Sequence, residues 1–505
     1  MSLRIQTCIC ARIIAWAQGC LAGLGAFTLE WGGVFLVWFS FFLFLRPHSS
    51  AKTHSIMFAY GFWQITLLWA SFSLRCLNPP WWGYTLPFFG FPLLIALVAA
   101  VCAWMLPWWR LSGFMRYFMF GMWWCFYMSV LALMNLEWVQ MLELWGGLVL
   151  TFVQLAFYIG GPLANMAIIT LMLASVYALH AHSVSLLKKA GLGWIALCVV
   201  GTAHLAFHPT CYTNASVGLV HTYSNMERAP VEIEKKLYCL SAMRNLAQDV
   251  QAVILPEAFF GHPPEHYQTT AAFLRSLNCP VFVGAMTQHK ASVYANSMIV
   301  FSHHTPGYTN FYDKITLLPF GEYLPFARYL PNSMKAIAQG FGEIMQGIKP
   351  AVYAFAHDVH GKRLPPFLPR VCYEGAISFC CDPKVEWILN VSNERWFFSS
   401  LQEQGQFWAV LRIRAVEAGR AIVRSTNDGA TGCIDPCGRT LSRITGPEAI
   451  IKQRLPEKIC AQTPWMRYTA LWTILYWCII VFSVLYTQWF VYKKRKNVLG
   501  KKKSA

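Results

Sequence analysis

Long apolar runs fill the first 208 positions of the chain and return near its end, while the stretch between them breaks into short alternating or apolar runs separated by turn residues. Runs long enough to cross about 30 Å of hydrocarbon lie near 9–27, 31–45, 56–75, 87–106, 115–135, 162–180, 192–207 and 467–491. The pattern therefore predicts an integral membrane α-helical bundle of about eight transmembrane helices, in which 31–45 and 192–207 extend a few residues into their flanks. Segment 141–160, "MLELWGGLVLTFVQLAFYIG", is also apolar. It is read as re-entrant or interfacial, because a ninth crossing would place Lys188 and Lys189 on the wrong side.

Cations order the spans. With Arg4 and Arg12 inside, the loops after the second, fourth and sixth spans carry Arg46 and Lys52, Arg110 and Arg116, and Lys188 and Lys189, and the last span runs into a lysine-rich tail. Loops of the other parity hold Glu30, Arg75, Glu137 and Glu143. This asymmetry follows the positive-inside rule, and it leaves residues 209–466 outside the cytoplasm. "AWAQGC", ending at Cys20, faintly resembles a lipoprotein cleavage box; Gln18 fits that box poorly, so the first span is read as retained.

Residues 209–466 carry the β-type runs: "VQAVILPE" (250–257), "CPVFVGAM" (279–286), "NSMIVFS" (296–302), "AVYAFAH" (351–357), "LPRVCYE" (368–374) and "VEWILNVS" (385–392). Helical spacing of Phe407, Val410, Leu411 and Ala415 predicts a helix over 403–420, and another falls within 228–249. Apolar strands interleaved with helices predict an α/β layered domain with helices covering the sheets. The organisation is thus a transmembrane bundle over 1–208, an extracytoplasmic domain over 209–466, and a final span with a basic cytoplasmic tail over 467–505.

Composition sharpens this picture. Only 13% of the 505 residues are charged and 56% are hydrophobic, against roughly 25% charged in soluble domains. The formal charge of +18 includes seven cations in the terminal tail, at Lys493, Lys494, Arg495, Lys496, Lys501, Lys502 and Lys503. Such cations orient spans and touch anionic headgroups. No basic recognition helix accompanies them, so nucleic acid is not an expected partner. Nine of the 17 cysteines fall in 209–466, where disulfides can form and an odd count leaves at least one thiol over. "CIDPC" (433–437) and the pair Cys380 and Cys381 lack a second pair at zinc-site spacing, so no metal is expected.

Three strand ends supply candidate chemistry. "VILPE" ends in Glu257; "FYDKITLLPFGEYLPF" (311–326) presents Lys314 and Glu322; "RVCYE" presents Cys372, Tyr373 and Glu374. A thiol is a poor nucleophile at neutral pH until a base takes its proton or a cation steadies the thiolate. Glu257 suits the base, Lys314 the stabiliser of thiolate and oxyanion, and Glu322 a second carboxyl that holds geometry or shares the proton. Tyr373 and Glu374 are expected to shape the oxyanion site or orient Lys314. Asn390 and Asn393 are expected to fix a loop as turn formers.

The ordered set "LPE", "YDKITLLPFGEYLPF" and "VCYE" resembles the nitrilase, or carbon–nitrogen hydrolase, superfamily. Together with "NVSNERWF" and "RAVEAGRAIVRSTNDGATGCIDPCGR" (414–439), it is similar to the apolipoprotein N-acyltransferase family over about 253–440. The resemblance implies an αββα domain on the periplasmic side of a bacterial inner membrane. It further implies that Cys372 accepts an acyl chain from a phospholipid as a thioester and passes it to the α-amine of a diacylglyceryl-cysteine on a lipoprotein, with Glu257, Lys314 and Cys372 catalytic and Glu322, Tyr373 and Glu374 supporting. No cofactor is implied; the implied partners are a phospholipid donor, a diacylated lipoprotein acceptor and membrane lipids, acting on a monomer. Glu394 and Phe398 stand where the family usually has Asp and Gly, Phe407 where a His is common, and no tryptophan matches around 221–230. A membrane-bound amidase with the same triad, or an acyltransferase for another lipid-linked amine, fits the same residues. The aromatic loop "NPPWWGYTLPFFGF" (78–91) suits either an interfacial belt or a lipid portal.

Overall fold

The computed structural model describes residues 2–28, 31–45, 52–68, 89–134, 136, 142, 149–222, 242–259, 268–290, 293–302, 308–319, 321–323, 343–348, 364–379, 381–397 and 400–503. The chain divides into two compact units, Met1–Ala206 with Arg467–Ala505, and Phe207–Met466.

The first unit is helical: α1 (Ser2–Thr28), α2 (Trp31–Phe44), α3 (Lys52–Thr66), α4 (Phe91–Met105), α5 (Gly113–Leu133), α6 (Leu155–His180), α7 (Val184–Phe207) and, after the second unit, a long C-terminal helix (Thr469–Lys503). Small residues let backbones meet: a Cβ at Gly19 or Gly61 would collide with the backbone of the facing helix, at Phe58 and Trp16 respectively, as expected where helices pack without a hydrophobic drive. Rings fill the interior, with Phe41, Phe44, Phe58, Phe120 and Trp124 in mutual contact. Polar ring atoms reach across to carbonyls, from Tyr127 to Ile95, Trp123 to Ala99 and Tyr476 to Cys125.

Among the described residues, three helices are long and apolar enough to cross a membrane, over Leu155–His180, Val184–Phe207 and Thr469–Lys494. Two boundaries differ from expectation. The span placed at 162–180 begins at Leu155 and continues through Pro162 by way of a break at Gly160, whose φ of 78° suits glycine. The span placed at 56–75 starts at Lys52 and is helical to Thr66, and its residues 69–75 lie outside the described residues. Residues 78–88 of the aromatic loop, most of 141–148 in the segment read as re-entrant or interfacial, and 223–241 lie outside the described residues, as do 351–357 and Cys380.

The second unit holds twelve described strands: β1 (Tyr212–His221), β2 (Ala252–Ile254), β3 (Val281–Lys290), β4 (Val293–Phe301), β5 (Thr309–Asp313), β6 (Glu343–Ile344), β7 (Phe367–Val371), β8 (Trp387–Asn393), β9 (Ala421–Asn427), β10 (Thr431–Ile434), β11 (Thr440–Ile444) and β12 (Ala449–Pro456). One sheet runs β12-β1-β2-β3-β4-β5 with β6 beside β4; the other runs β11-β10-β9-β8-β7. The central strands β1, β2 and β3 pair in parallel, as do β7, β8 and β9.

The sheets stack face to face. Leu219, Ile254, Phe282 and Val300 of the first sheet share one core with Phe367, Trp387, Leu389 and Val423 of the second. Period-two alternation sends Val253 and Leu255 to the opposite face, where they pack with Leu274 of α8 (Gln268–Arg275). The second sheet is covered by α9 (Leu401–Ala418), the crossover between parallel β8 and β9. Ser400 caps the start of α9 by accepting from Glu403 N, and Gly419 ends it with a φ of 59°. The arrangement is helix, sheet, sheet, helix.

Candidate active site

Parallel strands deliver their C-terminal ends to one edge of a sheet, and loops there carry side chains outward. The three strand-end segments meet at such an edge. Glu257 follows β2, Lys314 follows β5, and Cys372 follows β7 at the first position of a 3-10 turn, Cys372–Gly375.

Glu257 and Lys314 are almost fully buried, at 6% and 1% exposure. Glu257 Oε1 accepts from Asn296 Nδ2 at 2.6 Å and Oε2 from Asn393 N at 2.7 Å. Asn296 Nδ2 also donates to Glu322 Oε1 at 3.0 Å, so one amide ties the two carboxyls together. Glu322 Oε2 lies 2.6 Å from Lys314 Nζ and accepts from Leu318 N at 2.8 Å. The structure thus brings Glu257, Lys314, Glu322 and Cys372 into one electrostatic cluster.

Charge and burial oppose each other here. Burial raises the pKa of Glu257, the neighbouring Glu322 adds to the rise, and Lys314 holds it down. Burial works against the Lys314 ammonium, but Cys372, Glu322 and Glu257 outweigh it and its pKa rises. The Cys372 thiol is pushed up to about 12, by burial first and then by Glu257, with Lys314 pulling the other way. The resting sulfur is therefore a thiol, and a base must take its proton as it reacts.

Backbone shape presents the sulfur. Cys372 has a φ of 52° and Ala258, next to Glu257, a φ of 51°; left-handed residues other than glycine are held only where surroundings over-determine them. At Cys372 that constraint comes from Glu374. Its Oε1 accepts from Ile315 N at 2.7 Å and Thr316 N at 2.8 Å, and its Oε2 from Tyr312 Oη at 2.8 Å and Val371 N at 2.9 Å. Glu374 is fully buried and locks the cysteine turn to the loop that carries Lys314. Tyr373 is buried in the same turn, and its carbonyl accepts from Ala376 N.

Two contributions escaped the sequence. Asn390 is not a turn former: it sits within β8, and its Nδ2 donates to the carbonyls of Arg370 and Cys372, each at 3.2 Å. Arg424, on β9, donates to Asn390 Oδ1, pairs with Glu394, and lies 4.2 Å under the Phe407 ring. Burial lowers the pKa of this guanidinium, and Glu257, with Cys372 when it ionises, works against that. A lone arginine within the apolar run "AIVRST" was the available signal. Glu394, where the family usually has Asp, is the partner of Arg424, and Phe407 covers the guanidinium where a His is common. Phe398 lies outside the described residues.

The "CIDPC" stretch is a turn. Asp435 Oδ1 accepts from Cys437 N and Arg439 N, Cys433 Sγ faces the carbonyl of Ile434, and Cys437 Sγ that of His208.

No family model matches the chain. Over 493 residues it is 23% identical to the apolipoprotein N-acyltransferase of Rickettsia prowazekii, covering 90% of this chain and 93% of that protein. The chain is thus similar in sequence to the apolipoprotein N-acyltransferases. Shorter matches agree: 29% identity over 161 residues to the enzyme of that name from Rhodopseudomonas palustris, and 27% over 290 residues to that from Bradyrhizobium diazoefficiens. These stretches span 29% and 52% of the two proteins. Among solved structures, a CN-hydrolase superfamily protein from Xanthomonas campestris aligns at 16% identity and a TM-score of 0.33, over 48% of this chain and 90% of that one.

Proposed function

We propose that the chain is a phospholipid-dependent acyltransferase that N-acylates the α-amine of a diacylglyceryl-cysteine on lipoproteins, through a thioester on Cys372. The observation that carries this reading is the cluster of buried Glu257 and Lys314 with half-buried Glu322 and Cys372, in a chain whose likeness to an apolipoprotein N-acyltransferase runs along nine-tenths of its length.

In the first half-reaction Glu257, as carboxylate, takes the thiol proton while the sulfur attacks an ester carbonyl of a phospholipid. The Lys314 ammonium and the Tyr373 N–H stabilise the oxyanion. Collapse breaks the C–O bond, and Glu257 returns the proton to the departing lysophospholipid alkoxide. In the second, the amine attacks the thioester carbonyl, the C–N bond forms, and the C–S bond breaks to restore the thiol. Glu322 holds the ammonium at its working position, and Glu374 holds the cysteine turn. Transfer to an amine rather than to water requires that water be kept from the thioester, which suits lipid-anchored donors and acceptors. On this reading the protein is a multi-pass bundle of about eight spans in a bacterial inner membrane with residues 209–466 facing the periplasm; the three described helices long and apolar enough to cross a membrane support it.

Intact-protein mass spectrometry after incubation with phospholipid tests this: a fatty acyl adduct on Cys372, absent from Cys372→Ala, is expected. An adduct found only on other cysteines would defeat the proposal. Adding a diacylated lipopeptide separates transferase from hydrolase, since free fatty acid without triacylated product would mark an amidase-like hydrolase.

A further inference from the structure

The two half-reactions leave several buried oxygens near the site unused. Among the described residues, Glu394 Oε2, both carboxyl oxygens of Glu403 and Gln404 Oε1 are buried with no hydrogen-bond partner, and the three residues are only 2%, 1% and 2% exposed. An unsatisfied buried acceptor is destabilising, so such a concentration calls for a donor.

These residues belong to one place. Successive turns, with Phe397 N donating to the carbonyl of Glu394 and Ser400 N to that of Phe397, lead from Glu394 into the first turn of α9, where Glu403 and Gln404 sit. Gln404 Nε2 donates to the carbonyl of Asp428 at 2.8 Å, and the Glu394 carboxyl lies against Gly429, where a Cβ would strike it. The same turn adjoins the catalytic cluster. Glu394 N donates to the carbonyl of Asn427, whose Nδ2 donates to the carbonyl of Glu257 at 2.6 Å. Arg424, paired with Glu394, feels the charge of Glu257, and that of Cys372 when it ionises.

The chemistry of the vacant valences selects a ligand class. With Glu403 ionised all are acceptors, so an anion is repelled; a hydroxyl brings one donor, whereas a primary ammonium brings three N–H donors and a charge. Burial holds the Glu403 carboxyl well above the usual range, so it rests neutral and ionises when a cation enters.

We propose that Glu394, Glu403 and Gln404 form a subsite for the primary ammonium of the acyl acceptor, with Glu403 as its proton acceptor. This rests on the acyl-transfer reading above. Entry of the ammonium sends the resting proton of Glu403 to solvent. The carboxylate then takes one N–H proton, and the freed lone pair attacks the thioester. As the C–N bond forms and the C–S bond breaks, the second nitrogen proton passes by way of Glu257 to the Cys372 sulfur. Glu403 is left protonated, as it began.

The test uses the full-length protein, phospholipid and a diacylated lipopeptide with a free α-amine, following the Cys372 adduct and the triacylated product separately. In Glu403→Gln the ratio of transfer rate to thioester-formation rate is expected to fall at least tenfold. Its transfer rate should climb about tenfold per pH unit up to the pKa of the free amine, because only solvent then deprotonates it, while wild type should level off at a lower pH, once Glu403 ionises on entry of the ammonium. An unchanged ratio and pH profile would overturn the subsite. A measurement on wild type stands independent of the variant's folding: a lipopeptide lacking the α-amine should compete at least tenfold more weakly than one bearing it, and equal competition would also overturn the subsite. Failure of wild type to form any Cys372 adduct would instead overturn the acyl-transfer reading.

Discussion

Glu374 accepts four hydrogen bonds on two oxygens, all from groups that can only donate or do so here. Glu374→Gln turns one oxygen into an amino group and sets donors against donors, so it should destabilise the second unit by about 1–3 kcal/mol. Thermal unfolding would register this, together with loss of the Cys372 adduct as the left-handed turn relaxes. Glu257 gives the pH dependence its sign. It must be ionised to take the thiol proton, and its pKa is raised by burial and Glu322; thioester formation should therefore be present at neutral pH and disappear as pH falls through a value above that of an ordinary glutamate, about 4.3. Acylation rates measured against pH check this, and an inflection at or below the ordinary value would contradict it. Of these residues, Cys372, Lys314, Glu257, Glu322 and Glu374 stood out in the sequence as polar positions at strand ends. Asn296 and Arg424 did not, and Asn390 was read as a turn former, because a polar residue inside a strand has no distinctive spacing and its role depends on which neighbour it faces.

Strands β3, β4, β7 and β8 and helix α9 were legible from their apolar periodicity. Strands β5, β9, β10, β11 and β12 were not singled out, since they are short or mixed in polarity and gain their definition from pairing with neighbouring strands. The pairing of β1 with β12 joins residues more than 200 positions apart, which no local pattern encodes. One close approach matters for function. At Gly284 in β3 a Cβ would strike the backbone of Glu257, so Gly284→Ala must push the loop after β2 outward. The expected result is a fall of about 10²-fold in acyl transfer, the scale of a misplacement near 1 Å, with a smaller effect on thermal stability. Equal loss of both would point to general unfolding.

At the scale of the whole molecule, apolar side chains on α7 and the C-terminal helix, among them Leu192, Ile195, Val199, Leu471, Ile474 and Phe482, stand exposed in the polypeptide alone, as expected of surfaces covered by lipid. Cys211 is exposed at the start of the second unit. A membrane-impermeant maleimide applied to intact spheroplasts should label it, and labelling only after permeabilisation would reverse the proposed orientation. Apolar run length and the bias of cations between loops are local properties of the chain, so the sequence by itself determined the membrane class, the α/β character of the intervening segment and the residue types available for thiol chemistry. Tertiary structure alone decided that Asn296 bridges two carboxyls, that Glu374 ties the cysteine turn to the lysine loop, and that Arg424 lies beside the thiol. Each of these depends on strands from distant segments reaching one sheet edge. Burial there changes the strength of every charge, and neither proximity nor dielectric is written in a linear pattern of residues.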